Sequence, residues 1–251
     1  MPARISNQLR EALRSNPLDP VALFNQGAVY HNAGEAMRAG GLFRRAVIVN
    51  PRFVTAVGHL VRHRAAADGP AIGMAILSWM LCLVPLSGQV RALACQYQFE
   101  LDHFEFSARA GMRALMVDPA NPGVCRLLGL SFASLQLMPE AEMSLARSCV
   151  ILPDWTDALL AWAGARFAIN DNIGAIEAAQ RAQLAGGDEV ECLLLIARAT
   201  LALDRRGDAE ALLDQVVAMD RSRAREVEIA KLTMTPADYA DLLDAKHRGI
   251  P

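Results

Sequence analysis

His59 and His63 stand one helical turn apart, a spacing at which two imidazoles can hold one metal ion. No third ligand accompanies them, the H-E-x-x-H pattern is absent, and Arg62 and Arg64 flank them with positive charge. The expectation is no metal, and two histidines that line a binding surface or face solvent. His103, between Asp102 and Phe104, has no nucleophile beside it. The acid pairs Asp188–Glu189 and Glu226–Glu228 read as solvated faces rather than as acid–base machinery, and the basic run Arg221, Arg223, Arg225 alternates into the second of them. The chain has no G-x-x-x-x-G-K-[ST] loop, no G-x-G-x-x-G after a strand and no G-x-S-x-G elbow. Catalysis has no foothold, so the expectation is a protein that is not an enzyme and uses no cofactor.

Composition narrows the alternatives. Apolar residues make up 53% of the chain and charged ones 21%, too much apolar side chain for a disordered or purely electrostatic binder. With 25 basic against 27 acidic residues, the excess of positive charge that grips a phosphate backbone is missing, and no nucleic acid partner is expected. Met1–Leu13 alternates charged and apolar residues without a continuous apolar core or a lipid-attachment cysteine, which predicts a cytoplasmic location. The five cysteines (Cys82, Cys95, Cys125, Cys149, Cys192) are odd in number, none in C-x-x-C spacing, and each lies in an apolar run. They read as reduced core residues.

The elements that must position any functional side chain emerge from a period of 34 residues. Pro17, Pro51, Pro85, Pro119 and Pro153 fall on one lattice, and Gly187 takes the next point. Proline or glycine there stops a helix and turns the chain into the next unit. Between the stops, small residues recur at Ala39, Gly73, Ser107, Ala141, Ala175 and Ala209, and again at Gly27, Val61, Cys95, Gly129, Ala163 and Ala197, where paired helices approach closely. Larger apolar residues at Leu9, Phe43, Leu77, Leu145 and Leu213 supply the matching i, i+3 face of each second helix.

With these residues in view the chain resembles the tetratricopeptide repeat (TPR) family, whose 34-residue unit is helix, turn, helix. The best match, Pro20 to Phe53, carries Gly27, Tyr30, Gly34, Ala39, Phe43, Ala46 and Pro51 at the family's consensus positions. Residues 64, 98 and 111 depart from it, with Arg64 and Gln98 for tyrosine and Gly111 for a large apolar residue. The resemblance implies an all-α fold, a right-handed α-solenoid of helix-turn-helix repeats with flanking capping helices. The units tile as 20–53, 54–87, 88–121, 122–155, 156–189 and 190–223, after an N-terminal helix in 1–19 and before capping helices in 224–251. Thr235-Pro236-Ala237-Asp238 reads as the start of a short last helix.

The resemblance also implies a concave groove lined by the first helix of each unit. Its residues here include Phe24, Asn25, His31, His59, Arg62, Gln96, Phe99, Arg126, Leu130, Phe167 and Arg198. The family's carboxylate clamp fails at Phe24, Ala28, His59, Gln89 and Leu93, and its asparagine ladder fails after Asn25, where the position reads His59, Leu93, Leu127, Ala161 and Leu195. What remains suits an apolar or amphipathic segment, with Phe24, Phe99 and Phe167 as anchors and Arg62, Arg126 and Arg198 setting direction. The alternative is that the phenylalanines are core.

Ala71 to Leu86 is sixteen residues without a charge. A membrane span needs roughly twenty, so the expectation is no membrane insertion and a helix buried on several sides, with Trp79 and Leu83 free to mediate self-association. The functional expectation is a non-enzymatic adaptor in a bacterial cytoplasm that binds a segment of another protein. The alternatives are a substrate-recruiting partner of a separately encoded glycosyltransferase or sulfotransferase, and a homo-oligomeric scaffold.

Overall fold

A computed structural model describes residues 2–224 and residue 227, with side-chain surroundings from residue 8 onward. Among the described residues the regular elements are all helical. They form two compact units, Met1–Leu101 and Asp102–Pro251. The first contains α1 (Pro2–Ser15), α2 (Pro20–Asn32), α3 (Ala36–Val49), α4 (Val54–Asp68), α5 (Pro70–Leu83) and α6 (Gly88–Glu100). The second contains α7 (Phe104–Leu115), α8 (Pro122–Ser134), α9 (Met138–Ile151), α10 (Thr156–Ala168), α11 (Asn172–Leu184), α12 (Glu189–Ala202), α13 (Arg206–Met219) and a 3-10 turn, Arg221–Arg223. The expected unit 88–121 is thus divided between its two helices. The capping helix expected after Thr235, with Glu226, Glu228 and Arg225, lies outside the described residues.

Within each unit the substantial packing joins helices adjacent in the chain, together with the alternate pairs α4 with α6, α8 with α10 and α10 with α12. This is a helical repeat solenoid, in which each pair hides its apolar stripe on its neighbours. No described helix is long and apolar enough to cross a membrane.

Local chemistry sets the helix ends. The lattice prolines Pro17, Pro51, Pro85, Pro119 and Pro153 all lie in turns. Two residues beyond three of them, Asp19, Ser87 and Asn121 accept hydrogen bonds from backbone N–H groups in the next first turn, at 2.9 Å for Asp19 to Val21, 3.3 Å for Ser87 to Val90 and 3.1 Å for Asn121 to Val124. They satisfy donors that the helix cannot pair internally. Phe53 and Trp155 hold the same lattice position without a side-chain cap.

The turn inside each pair has its own ruler. Gly34, Asp102, Gln136, Asn170 and Asp204 lie on one 34-residue lattice, and all have positive φ, between 57° and 77°. The left-handed residue lets the following N–H reach back to the last helical turn, as from Glu35 to Tyr30 (2.9 Å), Leu137 to Phe132 (2.8 Å) and Asp171 to Arg166 (2.9 Å). The pair α4/α5 differs. Asp68 at that lattice point is still helical, and Gly69 alone, at φ 94°, links α4 to Pro70 of α5.

Small residues admit large ones opposite. A Cβ on Gly27 would lie 2.8 Å from the Phe43 ring, one on Gly129 2.5 Å from Leu145 Cγ, and one on Gly73 2.7 Å from the Tyr97 ring. Phe43, Leu77, Leu145 and Leu213 are buried as the second-helix pattern requires.

Two expectations need correction. Helix α5 is not buried on several sides: Gly73, Leu77 and Met80 form its buried face, and Trp79 and Leu83 are 47% and 46% exposed. The reason is that its packing partners are its chain neighbours α4 and α6. Cys82 shares that outward face and is exposed, whereas Cys95, Cys125, Cys149 and Cys192 are buried free thiols.

Candidate functional site

In the first unit the expected binding residues come together on α2 and α4. The Phe24 ring lies 5.2 Å from Phe53, 5.2 Å from His59 and 5.7 Å from Phe43, centroid to centroid. Phe43 is the buried floor, made possible by the side-chain void at Gly27. Phe24 and His59 are half-buried above it, and His31, with its ring 6.4 Å from His59, is exposed with Asn25 and Arg62. Edge-to-face geometry of this kind holds the rings as a rigid platform.

Charge on the platform is tuned by its neighbours. Burial first, then the Arg62 guanidinium and His31, depress the His59 pKa. A neutral imidazole there both donates and accepts a hydrogen bond. On α6, Gln96 is exposed and donates from Nε2 to Glu100 Oε1 at 2.8 Å, and Phe99 is half-buried. His63, one turn from His59, serves a different end: its Nε2 is 2.6 Å from the Ala36 carbonyl oxygen and its ring fills the space beside Gly40. The two imidazoles therefore have separate partners.

In the second unit the corresponding residues do not form an open surface. Phe167 is fully buried, surrounded by Ala163, Ala175, Ala178, Ala179 and Ala199, so it is core rather than an anchor for a partner. Leu130 at 7% and Arg198 at 6% exposure are also buried. The expectation that these three face a partner is corrected by their burial, and at Phe167 the cause is visible: alanine-rich neighbours let the helices close over a large side chain. Arg126 is half-buried with its guanidinium 5.0 Å above the Trp155 ring, and burial depresses its pKa against the pull of Asp157. Its Nε is buried without a hydrogen-bond partner among the described residues.

A polar cluster in the second unit escaped the sequence reading. Trp162 Nε1 donates to Glu142 Oε1 at 2.8 Å, the Arg166 guanidinium lies 4.1 Å above the Trp162 ring, and Arg166 Nε stands 3.5 Å from both Glu142 and Asp171. Its signal was present: Arg166 occupies the lattice position of Tyr30, and a guanidinium at an aromatic consensus position needs carboxylates nearby. The cluster ties α9, α10 and α11 together.

No protein-family model matches the chain, and no curated protein matches it in sequence. Solved structures do match in shape. PilF of Pseudomonas aeruginosa superposes with a TM-score of 0.67 at 17% identity, covering 80% of this chain and 92% of that one. YrrB, described as a TPR protein with an unusual peptide-binding site, gives 0.56 at 15% identity over 74% and 95%. A tetratricopeptide repeat protein from Parabacteroides merdae gives 0.57 at 13% identity over 91% of each chain. The chain has the tetratricopeptide-repeat fold. The TPR fold accounts for the left-handed lattice and for the small residues at Gly27 and Gly129, since both serve the helix pair. On the first-helix face of this chain lies the platform of Phe24, His31, His59 and Arg62.

Proposed function

We propose that this protein is a non-enzymatic adaptor that holds an apolar or amphipathic segment of another protein on the first-helix face of residues 2–101. One observation carries the reading: Phe24 and His59 form a half-exposed aromatic platform bordered by an amide, an imidazole and a guanidinium. Aromatic area supplies affinity at little entropic cost, and the border groups give direction by pairing backbone carbonyls or a carboxylate. YrrB, similar in fold, is described as having an unusual peptide-binding site, which supports peptide binding as a use of this fold.

The test is site-specific photocrosslinking in the cell from His31 and Arg62 of the intact protein. A discrete crosslinked partner is expected at both positions, lost when Phe24→Ala is introduced. A crosslinking pattern indifferent to Phe24→Ala would remove the platform as the binding site.

A further inference from the structure

The second helices of the first unit enclose a different surface. Ile72, Ile76 and Trp79 of α5 and Val47 and Ile48 of α3 line a groove of about 450 Å³ together with Leu60 of α4, and Arg44 and Arg64 complete its lining. No acidic residue lines it. Ile48 of α3 is 61% and Trp79 of α5 47% exposed, apolar surface offered side by side by two second helices.

Trp79 is out of character for its place in the repeat. Its lattice position holds Arg45, Arg113, Arg147 and Arg181 in four other units. Where that arginine is present it can clip the unit shut: Arg45 donates to the Pro17 carbonyl at 3.3 Å and Arg147 to the Pro119 carbonyl at 2.7 Å. The α4/α5 pair gives up such a clip and presents an indole instead.

We propose that this groove docks an amphipathic helical segment of a partner protein, seating its apolar side on Trp79 and Ile76 and its flanking carboxylates on Arg44 and Arg64. The occupant's charge follows from the lining, which has two guanidiniums and no carboxylate. Arg44 has no carboxylate partner among the described residues, and Arg64 has only the exposed Asp68, at 3.0 Å. An exposed pair of that kind is weak, so an incoming acid competes with it readily. The occupant's length follows from α5. Ile72 to Trp79 spans about 10 Å at 1.5 Å per residue, the reach of two helical turns carrying apolar residues at i, i+3, i+4 and i+7. The groove shares no lining residue with the Phe24 platform, so the two readings stand or fall separately.

The test uses the full chain and two fluorescent designed helical peptides. Both carry leucines at i, i+3, i+4 and i+7; one flanks them with glutamates, its twin with lysines. Anisotropy is expected to show binding of the glutamate peptide, with the lysine twin at least tenfold weaker. Trp79→Ala is expected to weaken the glutamate peptide at least tenfold, and Arg44→Glu with Arg64→Glu to invert the preference. Trp79→Arg, which restores the residue of the other units, gives a folded variant with the groove altered, and circular dichroism checks each fold. Absence of binding by the glutamate peptide, equal binding of the two peptides, or affinity lost with Phe24→Ala and retained with Trp79→Ala, overturns the proposal. So does a concentration-dependent dimer that Trp79→Ala dissolves while neither peptide competes, because the groove then belongs to a second copy.

Discussion

One lattice position carries His31, Phe99 and Phe167, and its fate differs between the two compact units. In residues 2–101, His31 is exposed and Phe99 half-buried. In residues 102–224, Phe167 is completely enclosed by alanines of α10, α11 and α12. A second position behaves alike: Arg62 and Gln96 are exposed, and Leu130 and Arg198 are buried. Helix α12 takes this furthest, with Cys192 to Thr200 buried without interruption. Place in the repeat decides which direction a side chain takes, and the size of the residues opposite decides whether it reaches water. The first unit keeps an open first-helix face because aromatic rings brace one another there, while the second closes that face with small residues.

The contrast breaks most visibly at Phe167. Phe167→Ala empties a site with no solvent to collapse into, and is expected to cost about 3–5 kcal/mol, read as a lower urea midpoint. Phe24→Ala removes a half-exposed ring and is expected to cost clearly less, while abolishing crosslinking from His31. Equal destabilisation by the two would refute the open-against-closed distinction. Next in size is Trp162→Phe, which strips the N–H from Glu142 in a partly buried cluster and is expected to cost about 1–2 kcal/mol. The control in the other unit, Gln96→Ala, breaks an exposed bond to Glu100 and should move stability by less than about 0.5 kcal/mol.

Much of the architecture was legible because it is written in residues that act locally. The proline lattice ends helices whatever surrounds it, and Gly27 and Gly129 mark close approaches whose partners, Phe43 and Leu145, are visible on the same lattice. The binding surface was legible only in part. Phe24, His59 and Arg62 converge, but Phe167 and Phe99 cannot be told apart by position, since the burial of Phe167 is settled by Ala175, Ala178 and Ala199 across the helix interface. The exposed face of α5 was misread for a related reason: an uncharged run suggests burial, and nothing local to it reveals that no described helix covers Trp79. The left-handed lattice of Gly34, Asp102, Gln136, Asn170 and Asp204 went unread because Gln136 and the two aspartates are poor markers of positive φ beside glycine.

The two units are also expected to respond to opposite ends of the pH scale. Burial pushes the thiols of Cys149 and Cys192, both in the second unit, up to about 11. The unfolded chain releases those protons near the ordinary thiol pKa, so this contribution is intact below that pH and lost as pH climbs toward about 11. At pH 10 the loss is expected to be roughly 1 kcal/mol per thiol, and Cys149→Ala and Cys192→Ala should flatten the alkaline slope of the urea midpoint.

His59 supplies the smaller counterpart in the first unit. Its depressed pKa means that on acidification the unfolded chain takes up a proton before the folded one does. Stability is therefore full above the ordinary histidine pKa and falls as pH drops below it, the reverse of the thiol case. The slope is expected to be shallow, because the imidazole is only half-buried and water screens the repulsion from Arg62 and His31. His59→Gln keeps a donor and an acceptor without a titrating proton. It should remove that acid-side slope between pH 7 and 5 while leaving the alkaline limb set by Cys149 and Cys192 unchanged. An acid slope that survived His59→Gln would mean that the platform does not hold its central imidazole neutral.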